Sequence, residues 1–202
     1  MHGVEIVELT PTNLTDVPEH CKCCIYWEYP EEFDQGKRSK DDLLAFKRDW
    51  LNRVRASFGS CGRIAYVDGI AAGYVQYAVP ELLPRIAEYL TGPPSSDAVF
   101  ISCLFVPQDR YRRRGLGRQL LESILVDLRN RKYGAVETFG RRGTADNPSG
   151  PIEFYLKYGF SIVQDDSDFP LLRLDLHGNV LNKHIHRTDD KVVSGETDNH
   201  RC

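Results

Sequence analysis

Residues 98–106 read Ala-Val-Phe-Ile-Ser-Cys-Leu-Phe-Val and are followed at once by Pro107, by a turn carrying five arginines and two glycines (110–118), and by leucines at 116, 120, 121, 125 and 128. A run that is apolar at nearly every position does not suit a sheet face exposed to water; it fits a strand covered on both faces. The leucines recur at three to four residues, the spacing of a helix with one apolar face. The chain must therefore build a sheet with this strand inside it and at least one amphipathic helix lying across it.

The remaining segments supply the neighbours. Val4-Glu5-Ile6-Val7-Glu8-Leu9 alternates apolar and acidic residues as a half-buried strand does, and Thr10-Pro11-Thr12-Asn13 ends it. Ser39 and Asp42 have capping-box spacing ahead of a helix through Leu43, Leu44, Phe46, Lys47, Trp50, Leu51 and Val54 to Phe58, which Gly59 stops. Residues 62–67 and 70–78 flank Asp68-Gly69, a dipeptide that accepts the positive dihedrals of a two-residue turn, and predict a hairpin. Proline and serine punctuate 80–97 around a short amphipathic piece, 82–90, which reads as a surface excursion. Residues 135–139 predict a strand, 148–158 a short helix opened by proline, and 160–163 with 171–176 a closing strand pair. The 202 residues, 41% hydrophobic, suffice for one core. One domain over 1–176 is expected, with 177–202, polar and without periodicity, as a mobile tail.

With 26 Lys and Arg against 29 Asp and Glu, the net charge is −3, so nucleic acid is not an expected partner and any anion site must be a local patch. No stretch approaches the roughly eighteen apolar residues of a membrane span, and no membrane partner is expected. Met1-His2-Gly3-Val4-Glu5 lacks the features of a signal peptide. A cytoplasmic setting follows, with Cys21, Cys23, Cys24, Cys61, Cys103 and Cys202 as free thiols. The dense His20-Cys21-Lys22-Cys23-Cys24 cluster lacks the separated pairs of a structural zinc site, and no metal is expected.

The basic turn is where chemistry concentrates. A helix start offers unpaired amides and a positive dipole end, and glycine permits close approach, so the turn suits a phosphate or pyrophosphate. The spacing is neither that of a Walker A loop nor that of a dinucleotide fingerprint. Arg112-Arg113-Arg114-Gly115-Leu116-Gly117 resembles the Arg/Gln-x-x-Gly-x-Gly/Ala signature of the Gcn5-related N-acetyltransferases (GNAT), in the expected place between an apolar strand and an amphipathic helix. Phe154-Tyr155-Leu156-Lys157-Tyr158-Gly159-Phe160 is similar to that family's Tyr-x-Lys-x-Gly-Phe close.

The resemblance covers roughly residues 4–176 and implies an α/β (α+β) fold. Its mixed, mostly antiparallel sheet of six to seven strands would be splayed at the centre, with helices on both faces. It implies acetyl-coenzyme A as cosubstrate, the amides of Arg113, Arg114, Gly115, Leu116 and Gly117 holding the pyrophosphate while Arg112, Arg113, Arg114 and Arg118 neutralise charge. Leu104, Phe105 and Val106 would offer backbone to the pantetheine arm where that strand parts from 135–139. Tyr155 matches the family tyrosine that faces the thioester sulfur and would protonate the departing thiolate. The resemblance breaks just before it: the family's frequent asparagine and alanine positions hold Ser149 and Pro151, leaving Asn147 to reach the arm from one turn earlier.

For the base, residues 100–106 contain no carboxylate or histidine, so Glu137, on a strand that should border the thioester, is the candidate, with ordered water as the alternative. Trp27 and Glu28 lie where the family places a variable acceptor wall; an aromatic face beside a carboxylate suits a cationic amine, and both are candidate substrate-binding residues. The expected activity is N-acetyl transfer to a primary amine of a small molecule or protein. A non-catalytic acyl-coenzyme A sensor is the alternative, and monomer and homodimer are both open.

Overall fold

Asp68 and Gly69 both take positive φ, 50° and 78°, and close the predicted hairpin between β2 (Gly62–Val67) and β3 (Ile70–Ala78). The computed structural model describes residues 3–143 and 150–177. Around that hairpin the sheet has seven strands, with β1 (Val4–Glu8), β4 (Ala98–Phe105), β5 (Ala135–Phe139), β6 (Ser161–Gln164) and β7 (Leu171–Asp175) in the order β1-β2-β3-β4-β5-β7-β6. Among the described strands β4 and β5 run parallel and the other pairs antiparallel. The apolar run 98–106 is thus the central strand, and residues 98–103 are buried.

Helices cover both faces. On one lies α4 (Leu116–Asn130), which buries Leu116, Leu120, Leu121, Ile124, Leu125 and Leu128 against Val75, Tyr77, Val99 and Ile101. With it lies α5 (Ile152–Lys157), contributing Ile152 and Tyr155. On the other lies α3 (Lys40–Ser57), opened by the Ser39–Asp42 capping box. Its Trp50, Leu51 and Val54 pack with Leu9, Ile64, Tyr74, Phe100 and Phe139. Two further short helices, α1 (Glu19–Lys22) and α2 (Pro30–Gln35), precede it, each entered through a proline.

Residues 80–97 are not the surface excursion that their prolines suggest. The segment folds as two 3-10 turns, Pro80–Leu82 and Pro84–Glu88, which bury Leu83, Ile86 and Arg85. Arg85 is the clasp. Its Nε donates to the Tyr26 carbonyl, Nη2 to the Pro30 carbonyl and to Asp34, and Nη1 to Glu88. Its guanidinium also lies 4.6 Å from the Tyr26 ring centroid. Trp50 Nε1 donates to the Leu82 carbonyl at 2.8 Å. Residues 178–202, most of the expected tail, lie outside the described residues.

Candidate active site

The central opening is a matter of register. β4 and β5 are paired only from Ala98↔Ala135 to Phe100↔Glu137, although β4 continues to Phe105 and β5 to Phe139. At the point of parting the Thr138 side chain, not a strand, takes over, its Oγ1 donating to the Ile101 carbonyl at 2.9 Å. Beyond it Leu104, Phe105 and Val106 are half-buried; Leu104 and Phe105 keep β3 on one side, opposite Val75 and Tyr74. Backbone groups on the parted edge therefore have room for an extended, amide-bearing chain.

Directly after β4 the arginine turn enters α4. Arg113 and Gly115 both take positive φ, 58° and 82°, which folds the chain back so that α4 begins at Leu116 with no side chain capping it. The first amides of α4 are left for an external acceptor. The arginines divide by role. Arg112 is spent on the turn itself, donating to the Val106 and Pro107 carbonyls at 2.8 and 3.2 Å and to Asp109 at 2.8 Å. Arg118 pairs with Glu122 one turn along α4. Arg113 and Arg114 are exposed beside the open amides. Gly117 faces Phe154 and Leu104, so the glycine lets α4 approach both α5 and the parted end of β4.

Tyr155 stands beneath the opening on the α4–α5 side, 1% exposed. The Thr138 side chain and the Gly150 backbone lie against its hydroxyl. Burial pushes its phenol well above the ordinary tyrosine value, with Thr138 opposing this, so it keeps its proton at neutral pH. The structure brings Tyr155, Thr138 and the parting point of β4 together. Asn147 lies outside the described residues.

Glu137, the last β5 residue paired with β4, turns its side chain to other partners. Its side chain is fully buried, Oε1 accepting from Arg173 Nη1 and Oε2 from the Ser95 amide, both at 2.9 Å. It ties β5 to β7 and to the segment entering β4. Alternation along β5 does not say which partners a side chain meets, and here Arg173 and Ser95 engage both oxygens of the carboxylate expected as the base.

On the opposite face, against the end of β4, lies a cavity of about 510 Å³ lined by His20, Cys21, Cys24, Tyr26, Trp27, Phe33, Lys47, Tyr74, Gln76, Cys103 and Phe105. Trp27 is a wall, 2% exposed, stacked on Tyr89 and edge-on to Phe100. Glu28 sits behind the wall, its side chain fully buried, paired with the equally buried Lys47. Lys47 Nζ also donates to the Cys24 carbonyl at 2.9 Å. Burial alone would lower the Lys47 ammonium, but Glu28 together with the neighbouring Cys24 and Cys103 holds the group above its ordinary value. Gln76 Nε2 donates to Glu28 Oε1 at 2.6 Å and to Ser102 Oγ at 3.0 Å, while its Oε1 accepts from the Tyr74 hydroxyl at 2.5 Å. Among the described residues, two buried atoms at this site have no partner, Trp27 Nε1 and Glu28 Oε2. Such an atom costs about 1–3 kcal/mol unless something completes it.

Sequence reasoning placed Trp27 and Glu28 at this wall and missed Lys47, Gln76, Ser102 and Tyr74. A signal existed for Lys47, which occupies the apolar stripe of α3 with Trp50, Leu51 and Val54. A lysine in register with buried residues calls for a buried anion.

A sheet parted beside an uncapped helix start, with a tyrosine beneath and a cavity opposite, is the architecture of an acyl-group transferase. The chain belongs to the acetyltransferase (GNAT) family, whose model matches residues 23–160. Its fold is similar to that of PaiA N-acetyltransferase from Thermoplasma acidophilum, solved in complex with coenzyme A, at 16% identity and TM-score 0.54, covering 86% of this chain and 99% of that one. It is likewise similar to the ribosomal-protein-S18-alanine N-acetyltransferase from Escherichia coli, at 16% identity and TM-score 0.51, covering 90% and 99%. An acetyltransferase from Thermus thermophilus aligns at 18% identity and TM-score 0.52, covering 87% and 99%. No curated protein matches the chain in sequence.

Proposed function

We propose that this chain is an acetyl-coenzyme A-dependent N-acetyltransferase acting on a primary amine of a small molecule or protein, residues 1–176 forming the catalytic domain in a cytoplasmic setting. The observation that carries the reading is the parted edge of β4, which runs straight into the uncapped, doubly left-handed turn at Arg113–Gly115 and ends at the cavity. The coenzyme A in the Thermoplasma acidophilum structure supports it.

Acetyl-coenzyme A is a substrate here and supplies the reactive thioester; the protein supplies position and electrostatics. The amides of Arg113 to Gly117, with the side chains of Arg113 and Arg114, hold the diphosphate. Arg112 holds the turn that presents them. Leu104, Phe105 and Val106 bond the arm through their backbone. The amine enters past Trp27 and meets the thioester at the parting point. Tyr155, which keeps its proton and lies within the fold beside Thr138, gives it to the leaving sulfur.

The test is release of free thiol from acetyl-coenzyme A with phenethylamine, alaninamide and spermidine as acceptors, alongside calorimetric binding of coenzyme A. Transfer to at least one amine is expected. Tight coenzyme A binding without transfer to any amine would establish the sensor instead. Tyr155→Phe should lower kcat with little change in coenzyme A affinity; unchanged kcat removes its assigned role.

A further inference from the structure

Thiols are nucleophiles that the transfer reaction leaves unused, and three of them, Cys21, Cys24 and Cys103, line the cavity on the α3 face together. Cys21 and Cys103 come from distant parts of the chain, α1 and β4, yet their thiols lie against one another. Both are free, and each is 7% exposed. Cys103 stands opposite Gln76 of β3, on the stretch of β4 that has parted from β5.

The other described cysteines are placed differently. Cys23 donates to the Lys40 carbonyl at 3.8 Å, and Cys61 is buried in the core with Leu9 and Ile64. Cys24 borders the cavity, but burial raises its thiol. Contact with Cys103, aided by Lys47, lowers the Cys21 thiol in spite of its burial, while the same contact and burial raise Cys103. A thiolate is the attacking form, so Cys21 is the nucleophile and Cys103, already against it, the resolving thiol.

We propose that Cys21 and Cys103 form an oxidisable dithiol, which a hydroperoxide converts into a disulfide that ties α1 to β4 and closes the cavity to the amine. The Cys21 sulfur attacks one peroxide oxygen and the oxygen–oxygen bond breaks, leaving a sulfenic acid on Cys21 and, with the thiol's proton, one water. The Cys103 sulfur then displaces the sulfenic oxygen; the sulfur–sulfur bond forms and a second water carries off the Cys103 proton. The two sulfurs lose two electrons, and the peroxide gains them.

The bond moves α1 rather than β4. α1 is a single turn whose Cys21 and Lys22 amides rest on the Pro18 carbonyl, whereas β4 is the middle strand of the sheet. Drawing Cys21 onto the strand narrows the route past Trp27. The arginine turn lies outside the bridged pair, so coenzyme A keeps its seat. The effect on transfer rests on the acetyltransferase reading; the bridge itself does not.

The experiment treats the reduced full chain with hydrogen peroxide, alkylates it and maps it by mass spectrometry without reduction. Lys22 separates Cys21 from Cys23 and Cys24, so trypsin leaves Cys21 on 1–22, Cys23 and Cys24 on 23–37, and Cys103 on 86–110. The oxidised chain should lose two hydrogen atoms, join 1–22 to 86–110, and recover both thiols in dithiothreitol. With the best amine of the panel, oxidation should lower kcat/KM at least about 10-fold, reversibly, while calorimetric binding of coenzyme A is unchanged. Cys21→Ser and Cys103→Ser should keep their transfer under peroxide, and Cys24→Ser should lose it as wild type does. If Cys103→Ser fails to bind coenzyme A, Cys103→Ala takes its place. A chain that keeps both thiols, that joins 1–22 to 23–37, or that forms the bridge and transfers as before overturns the proposal. No transfer by the reduced wild type to any amine overturns the acetyltransferase reading, and with it the effect on transfer, while the peptide map decides the bridge by itself.

Discussion

Truncating Glu137 separates an anchoring carboxylate from a catalytic one. In Glu137→Ala the Ser95 amide loses its acceptor, Arg173 loses one of three carboxylates, and a fully buried side chain leaves a gap. The amide is only partly buried, so its loss belongs near the low end of about 1–3 kcal/mol. Arg173 keeps Asp97 and Asp175, which limits its cost to well below the roughly 3–5 kcal/mol of an abandoned buried charge. Each buried methylene removed adds about 0.8 kcal/mol. The sum is about 3 kcal/mol, or a fall in Tm of roughly 6–12 °C for a chain of this size. Urea unfolding with an unchanged slope reads the stability. Calorimetry with coenzyme A and turnover at a temperature where the variant is folded read the site, and both should stay near wild type. A Glu137→Ala chain as stable as wild type, binding coenzyme A normally but with kcat down more than about 100-fold, would refute this placement and restore Glu137 as the base.

Gly115→Ala should cost about 1–2 kcal/mol, because φ of 82° is strained for any residue with a Cβ although nothing crowds the site, and it should weaken coenzyme A binding by calorimetry; equal affinity would disconnect the turn from the ligand. Arg114→Ala should leave Tm unchanged and lower coenzyme A affinity most at low salt, whereas Arg112→Ala should lower Tm as well, since its bonds to Val106, Pro107 and Asp109 are within the turn; identical effects would erase the division of roles. Arg173 holds the Asp97 carboxyl below its ordinary value, so its contribution to stability is present above about pH 4 and lost as pH falls through the lowered value. Asp97→Asn should therefore be less stable than wild type at neutral pH and converge with it in acid; parallel denaturation curves at all pH values would contradict this.

What could be read from sequence was whatever is local. The hairpin rests on two adjacent residues, Asp68-Gly69, the α3 start on Ser39 and Asp42 three apart, and the central strand, turn and α4 on one uninterrupted stretch. The coenzyme A half shares this property, because a helix start binds anions with consecutive backbone amides. Segments without a period were misread where tertiary contacts decide. Nothing in Leu82-Leu83-Pro84-Arg85-Ile86 announces that Arg85 will clasp Tyr26, Pro30 and Asp34, more than fifty residues away.

The acceptor half is hidden for the same reason, made sharper by electrostatics. A buried ion pair is tolerated only when each charge meets a partner and further bonds. Here those partners come from the stretch before α2 (Glu28), from α3 (Lys47), from β3 (Gln76) and from β4 (Ser102), so no window of sequence contains the site. Each departs from its local pattern: Lys47 on an apolar helix stripe, Gln76 in a buried strand, Ser102 in the apolar central run, Glu28 beside a core tryptophan. Singly, each looks like noise in a hydrophobic pattern. Polar residues at core positions of different elements must either be satisfied by one another or destabilise the fold, so their joint occurrence in a chain that folds already requires a shared buried network.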